Sequence, residues 1–475
     1  MSLFQPTPYT PTTTRPFWLE QALFTDGAMA PALQGECSTD VCIVGGGYTG
    51  LWTAILTKQQ NPSLDIAILE ADLCGAGASG RNGGCLLTWS AKFLTLRRLF
   101  GESEAVRLVR ASEAAVGHIA DFCRAHQVEA ELRMDGTLYT ATNLAQIGTL
   151  EPVIAALQSC GMDSYFPLPA PEVARRSGSA KNLAGVFSPH AATVQPAKLV
   201  RGLRRVALQM GIRVFEHSPM LGLSLGQPAR VQTPAGVMVA NKLVLATNAW
   251  MASMFAQFER SIAIVSSDMV ITEPCPDRLL ATGLSDGVSV LDSRTFVYYY
   301  RSTPDGRLML GKGGNTFAYG GRIGPTYDQR SAYQTGLTDA LRSFFPSLGP
   351  VPITTSWTGP SDRSVTGFPF FGRLNGAPHV FYGFGYSGSG VGPCYMGGQI
   401  LSSLLLEQDN AWTRSPLTHG PRGQFPPEPI RYLGSNLVRN AIRRKEGAED
   451  QGRPPWLFDK FMSRFANAAG KADKA

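Results

Sequence analysis

The sequence predicts a chain of mixed class, an α/β part built on a parallel sheet and an α+β part built on an antiparallel one. Three observations predict it. "DVCIVGGGYTGLWTAI" (40–55) drives β-branched residues into three glycines and out into a helical pattern. "LDIAILEAD" (64–72) follows as a second apolar strand, which completes one strand, turn, helix and strand unit. "SSDMVITEP", "RTFVYYYRS" and "GRLMLGKG" alternate or run apolar between turn signals, as antiparallel strands do.

The 475 residues are 44% hydrophobic and 17% charged, ordinary for a globular chain with room for two domains. Eight scattered cysteines form no C-x-x-C pair, so no structural metal is expected. The first residues lack a basic segment followed by an apolar one, and no apolar run is long enough to span a bilayer. A cytoplasmic location is therefore expected. The net charge is +7, and most of that excess falls from Pro429 onward, including Lys471 and Lys474. The body of the fold then has no basic groove for nucleic acid.

Each element of the first unit has a physical reason. "VCIV" (41–44) has the β-branched bias of a buried strand, and Leu51, Ala54 and Ile55 fall at helical spacing. Between them Gly45, Gly47 and Gly50 fit G-x-G-x-x-G: a tight turn, a close approach to a pyrophosphate, and close packing of helix on strand. That helix, "TGLWTAILTKQ" (49–59), begins beside Tyr48 and Thr49 with unpaired N–H groups that favour a phosphate. The second strand ends in Glu70, placed where a carboxylate meets a ribose hydroxyl. "GAGASGRNGG" (75–84) comes almost at once, offering Ala78, Ser79, Arg81, Asn82, Gly83 and Gly84 as a second phosphate-compatible loop. Near the C-terminus "VFYGFGYSG" runs a strand into glycines, and "GPCYMGGQILSSLLLEQ" begins a helix with Pro393 in its first turn. "GYSGSG" is not a hydrolase elbow, because neither Ser387 nor Ser389 has glycine two residues away on both sides.

Residues 40–84 resemble the N-terminus of the FAD-dependent amine and amino-acid oxidoreductases of the D-amino-acid-oxidase superfamily, the group holding glycine oxidase, sarcosine oxidase and γ-glutamylputrescine oxidase. The likeness continues in "FSPHAATVQPAKLVRGLRRVALQMGIRVFEHSPM" (187–220), "ANKLVLATNAW" (240–250), "YYYRSTPDGRLMLGKGG" (298–314) and the C-terminal glycine turn, covering roughly residues 30–420. It implies a Rossmann-like FAD-binding domain (35–100, 180–260 and 350–410) interleaved with an antiparallel-sheet substrate domain (101–179 and 261–349). Residues 1–34 are then an N-terminal extension and 411–475 a basic C-terminal one. The resemblance adds Asn248, Gly385, Gly388, Gly390 and Val391 as FAD neighbours, and Tyr300, Arg301 and Arg363 as candidates for substrate binding.

The implied chemistry is oxidation of the C–N bond of a small primary or secondary amine, amino acid or aminophosphonate. Hydride passes to flavin N5 and water hydrolyses the imine. Such chemistry requires no serine triad or carboxylate pair, since the cofactor performs the hard step. The alternative is a flavin-binding or tRNA-modifying protein that reuses the fold. The electron acceptor is O2 or a quinone: where some relatives carry a lysine over the flavin, this chain has Met309, with Lys312 beyond the strand's glycine. Cys85 and Cys394 are not expected to link the flavin. The extended tail resembles an aminophosphonate oxidoreductase subgroup. Leu433, Leu437 and Ala441 share a helical face there, and Trp456, Phe458, Phe461, Met462 and Phe465 follow. Two readings stand for that tail: a helix docked on the body through its apolar stripe, or a peripheral contact with anionic lipid at the inner face of the membrane.

Overall fold

A computed structural model describes residues 4–5, 14–26, 29–466 and 473. Lys471 and Lys474 lie outside them. Strand Gly35–Val44 is the centre of a sheet, parallel to Ile66–Leu69 on one side and to Gly236–Leu245 on the other. Arg213–Phe215 extends it beyond Ile66–Leu69, and Ala377–Phe384 pairs in parallel with the end of Gly236–Leu245. The alternation of a strand decides its layers. Val41 and Ile43 pack under the helices Tyr48–Gln60, Pro196–Gln209 and Pro393–Leu405, whereas Cys42 and Val44 join an opposite layer with Phe258, Tyr382 and Phe384. The second expected strand is shorter than its apolar run, Ile66–Leu69 rather than 64–72. Leu64 closes a turn by donating to the Asn61 carbonyl, and Glu70 leaves the ladder to serve the glycine turn.

The second sheet runs Ile353–Ser364, Ile262–Thr272, Leu308–Phe317, Tyr298–Ser302, Ser289–Asp292, Thr137–Ala141, Ala184–Ser188 and Phe166–Leu168. It is antiparallel except where Ser289–Asp292 pairs in parallel with Thr137–Ala141. Two expected boundaries move. Ile353–Ser364 pairs along its whole length with Ile262–Thr272, and Ala184–Ser188 pairs with Thr137–Ala141. Both strands therefore belong to the second sheet, so the crossings fall after 188 and 364 rather than at 180 and 350. Helix Glu102–Ala125, expected on the substrate side, packs instead on the helical layer of the first sheet, with the Phe122 ring edge-on to Trp52.

The N-terminal stretch is more than an extension. Helix Phe17–Leu23 buries Trp18 completely, edge-on to Trp357 of the second sheet and under the Arg301 guanidinium. Arg15 grips Asp72 with two bonds of 2.5 and 3.0 Å. At the other end helix Ile430–Asp450 lies on the body, and Leu457–Ser463 lies on that helix. Among the described residues no helix is long and apolar enough to cross a membrane.

Candidate active site

The glycine turn forms as its residue types require. Gly45 has φ +114°, and a Cβ there would stand 2.5 Å from the Ala246 carbonyl oxygen, so the turn closes only with glycine. Gly47 precedes helix Tyr48–Gln60 in extended conformation, and a Cβ on it would stand 2.9 Å from Ser79 Oγ. Ser79 Oγ accepts the first-turn N–H of Tyr48 at 2.9 Å, which draws the second loop onto the helix N-terminus. Glu70 turns inward. It accepts the Gly46 N–H at 2.7 Å and the Asp72 N–H at 3.1 Å, while desolvation raises its pKa to about 7.

Beside this turn a cavity opens between the two sheets. Tyr48, Ala78, Ser79, Arg81, Asn82 and Gly83 line it from the first loops. Asn248 lines it from the end of strand Gly236–Leu245, and Gly388, Gly390 and Val391 from the C-terminal turn. Gly45, Thr49, Gly50, Glu70, Gly84 and Gly385 are not among the lining residues. Thr49 Oγ1 donates to Tyr386 Oη at 2.9 Å and approaches Cys394 Sγ at 3.3 Å, which ties the first helix to the last glycine turn. Asn82 Oδ1 accepts the Gly84 N–H at 2.8 Å.

Arg81 lines the cavity with its guanidinium engaged by protein groups. Its Nε donates to the Ala76 carbonyl at 2.7 Å, Nη1 to Thr358 at 3.2 Å, and Nη2 pairs with Asp328. The Trp357 indole N–H donates to the Arg81 carbonyl at 2.9 Å. This arginine fastens the loop to the second sheet at Thr358.

Of the three substrate candidates, the cavity includes Arg363 and neither Tyr300 nor Arg301. Tyr300 faces the layer of Phe344 and Phe345, with its hydroxyl donating to Ser177 O at 2.9 Å and accepting from Asn182 at 2.7 Å. Arg301 is spent on the carbonyls of Gly83 (2.8 Å) and Val194 (2.7 Å), and so braces the loop at Gly83. Tyr299 takes the facing position because neighbours in a strand alternate. Its hydroxyl lies 3.0 Å from Ser267 Oγ, and both residues line the cavity. By the same alternation Met309 approaches Gly83, while Lys312 lies on the far face, over the Tyr298 ring and donating to Phe296 O at 2.9 Å. Burial lowers the Lys312 pKa to about 8.

Sequence reasoning missed Asp362. Its carboxylate accepts the N–H groups of Gly385 and of Tyr386 (3.1 Å), and desolvation raises it to about 6. Arg363 Nη1 donates to the Ser387 carbonyl at 2.5 Å, and burial lowers its pKa to about 10, so it stays cationic at neutral pH. The pair clasps the turn 385–390 onto strand Ile353–Ser364. No local signal announces this, because the partners lie more than twenty residues apart. Cys85 and Cys394 line the same cavity.

The residues present fit a bound dinucleotide. Buried Asn248 Oδ1 and Ser361 Oγ lack hydrogen-bond partners at the cavity wall, and the Gly47 approach leaves room that a side chain would fill. A parallel sheet with a glycine turn, an inward acid at the end of its second strand and a cavity against an antiparallel sheet defines a two-domain flavoprotein oxidoreductase. The chain belongs to the DAO family of FAD-dependent oxidoreductases, whose model matches residues 40–404. FAD is its cofactor. The chain is 28% identical over 408 residues to gamma-glutamylputrescine oxidoreductase of Escherichia coli K12, covering 85% of this chain and 92% of that one. It is 22% identical over 390 residues to glycine oxidase of Geobacillus kaustophilus, covering 80% and 96%. The crystal structure of glycine oxidase from Geobacillus kaustophilus superposes with a TM-score of 0.67 at 19% identity, over 81% of this chain and 99% of that one.

Proposed function

We propose that the protein oxidises the C–N bond of a small amine or amino acid that carries an anionic group. One observation carries this reading: Arg363 and the Tyr299–Ser267 hydroxyl pair line one cavity with the first glycine-rich loops and the turn 385–390. Bound FAD supplies the hydride acceptor, and the rest falls to the chain.

Gly47, the Tyr48 helix N-terminus, Ser79 and Gly83 would seat the diphosphate, Glu70 the ribose, and Gly388, Gly390 and Val391 the ring side. Arg363 would hold a carboxylate or phosphonate, and Tyr299 would orient it through its hydroxyl. Buried walls keep water from the reacting carbon until the imine leaves. The acceptor is O2 or a quinone; Lys312 turned away from the cavity supports the quinone.

The test is anaerobic mixing of the yellow holoenzyme with primary and secondary amines, amino acids and aminophosphonates. Bleaching by an anionic amine, and reoxidation faster with a quinone analogue than with air, is the expected result. Flavin that dithionite bleaches but no amine reduces would overturn the reading and favour a protein that reuses the fold. The gamma-glutamylputrescine and glycine oxidising relatives support including ω- and α-amino acids in the panel.

A further inference from the structure

Helix Ile430–Asp450 is docked with its amphipathicity reversed. Its inner stripe is charged: Arg431 reaches the carbonyl of Glu259, Arg443 donates to Asn315 Oδ1 at 2.9 Å, Glu446 accepts the Thr295 N–H at 2.8 Å, and Asp450 pairs with Arg294. Ala441 and Ile442 are the buried apolar residues of that helix. Ile430, Leu433 and Leu437 fall on the stripe that continues through Asn440 to Arg444, and they face out. Arg444 Nη2 holds Asp459 at 2.7 Å, which seats helix Leu457–Ser463 on this same stripe. That helix and its flanks carry Trp456, Leu457, Phe461 and Phe465 outward. These seven side chains are between 46% and 77% exposed.

A docked helix that had only to be stabilised would turn its leucines inward, where their burial adds to stability. Here polar contacts hold the helix and its leucines are left outside. An apolar patch of this kind marks an interaction surface. Its charge identifies the partner. Arg453, Lys460 and Arg464 are exposed beside the aromatics, outside the pairs that Arg444 and Lys445 make with Asp459 and Glu449. Tryptophan and phenylalanine with lysine and arginine around them suit the headgroup boundary of an anionic bilayer, where insertion and charge act together and neither alone suffices.

We propose that this face, formed by Leu433, Leu437, Trp456, Leu457, Phe461 and Phe465, docks the enzyme on an anionic lipid surface. The inference stands on the tail alone and is independent of the substrate.

The full-length holoenzyme is mixed with phosphatidylglycerol-containing vesicles and with phosphatidylcholine vesicles, then sedimented at low and high salt. Expected is binding to the anionic vesicles, at least tenfold weaker on neutral ones and weakened by salt. The variant Trp456→Ser/Phe461→Ser and, separately, Lys460→Glu/Arg464→Glu should each lose about tenfold in binding while staying yellow. Absence of binding to anionic vesicles, or equal binding to neutral ones, would overturn the proposal. So would light scattering that shows a dimer dissolved by Trp456→Ser/Phe461→Ser, which would assign the face to a second copy.

Discussion

Glu70, the carboxylate proposed to meet the ribose, has a titration whose sign can be worked out. Burial raises its pKa to about 7 before the cofactor binds. Ribose hydroxyls donate to the ionised form, so binding would pull that pKa down, and affinity must rise with pH until Glu70 is ionised without help. Reconstitution of the apoprotein with FAD should be about tenfold weaker at pH 6 than at pH 8, and Glu70→Gln should flatten that slope, as read by flavin fluorescence quenching. At Arg363, removal of the charge should raise KM for anionic amines roughly 10- to 100-fold with a smaller change in kcat, and anaerobic reduction titrations would show it. Arg363→Lys should recover part of the loss, since a point charge replaces a fork. The residue scale also shows where reading a sequence stops. Glycines 45, 47 and 50 could be placed from sequence because the constraint on them is local. The choice between Tyr299 and Tyr300 turned on which face of a strand meets the cavity, and periodicity alone is silent on that face.

Elements were legible in proportion to their apolar pattern. The helix from 49 to 59 emerged as Tyr48–Gln60, and the strand 41–44 as the inner end of Gly35–Val44. Helix Phe17–Leu23 was missed as a core element because seven residues with two aromatics make no period. Its energetic weight lies in Trp18, which is wholly buried between the sheets. Trp18→Ala should cost about 3–5 kcal/mol in urea unfolding of the holoenzyme, and it should loosen Arg301 and with it the Gly83 loop. A loss below about 1 kcal/mol would show the helix to be a passive cover.

At the scale of the whole molecule, the two sheets act through one cavity. Arg81 with Thr358, and Asp362 with the turn 385–390, each join a loop at the cavity to the antiparallel sheet. FAD at a thousandfold excess over Kd should therefore add about 4 kcal/mol of stability, and circular dichroism and flavin fluorescence should follow a single transition. Two separate transitions would show that the sheets unfold apart. The domain interleaving came from resemblance rather than from composition, and its crossings moved because strand pairing is non-local. Residues 353–364, "ITTSWTGPSDRS", carry too few apolar side chains to assign them to a sheet, and only their pairing with 262–272 places them.

The order of strands in the first sheet has a consequence for biosynthesis. Ala377–Phe384 completes the parallel sheet next to Gly236–Leu245, and the turn after it makes one wall of the cavity. The glycine-rich loop finished by residue 84 waits for Asp328 and Trp357 before it is fastened. Cofactor capture thus has to follow synthesis of the turn 385–390, and a nascent chain arrested before it would emerge colourless.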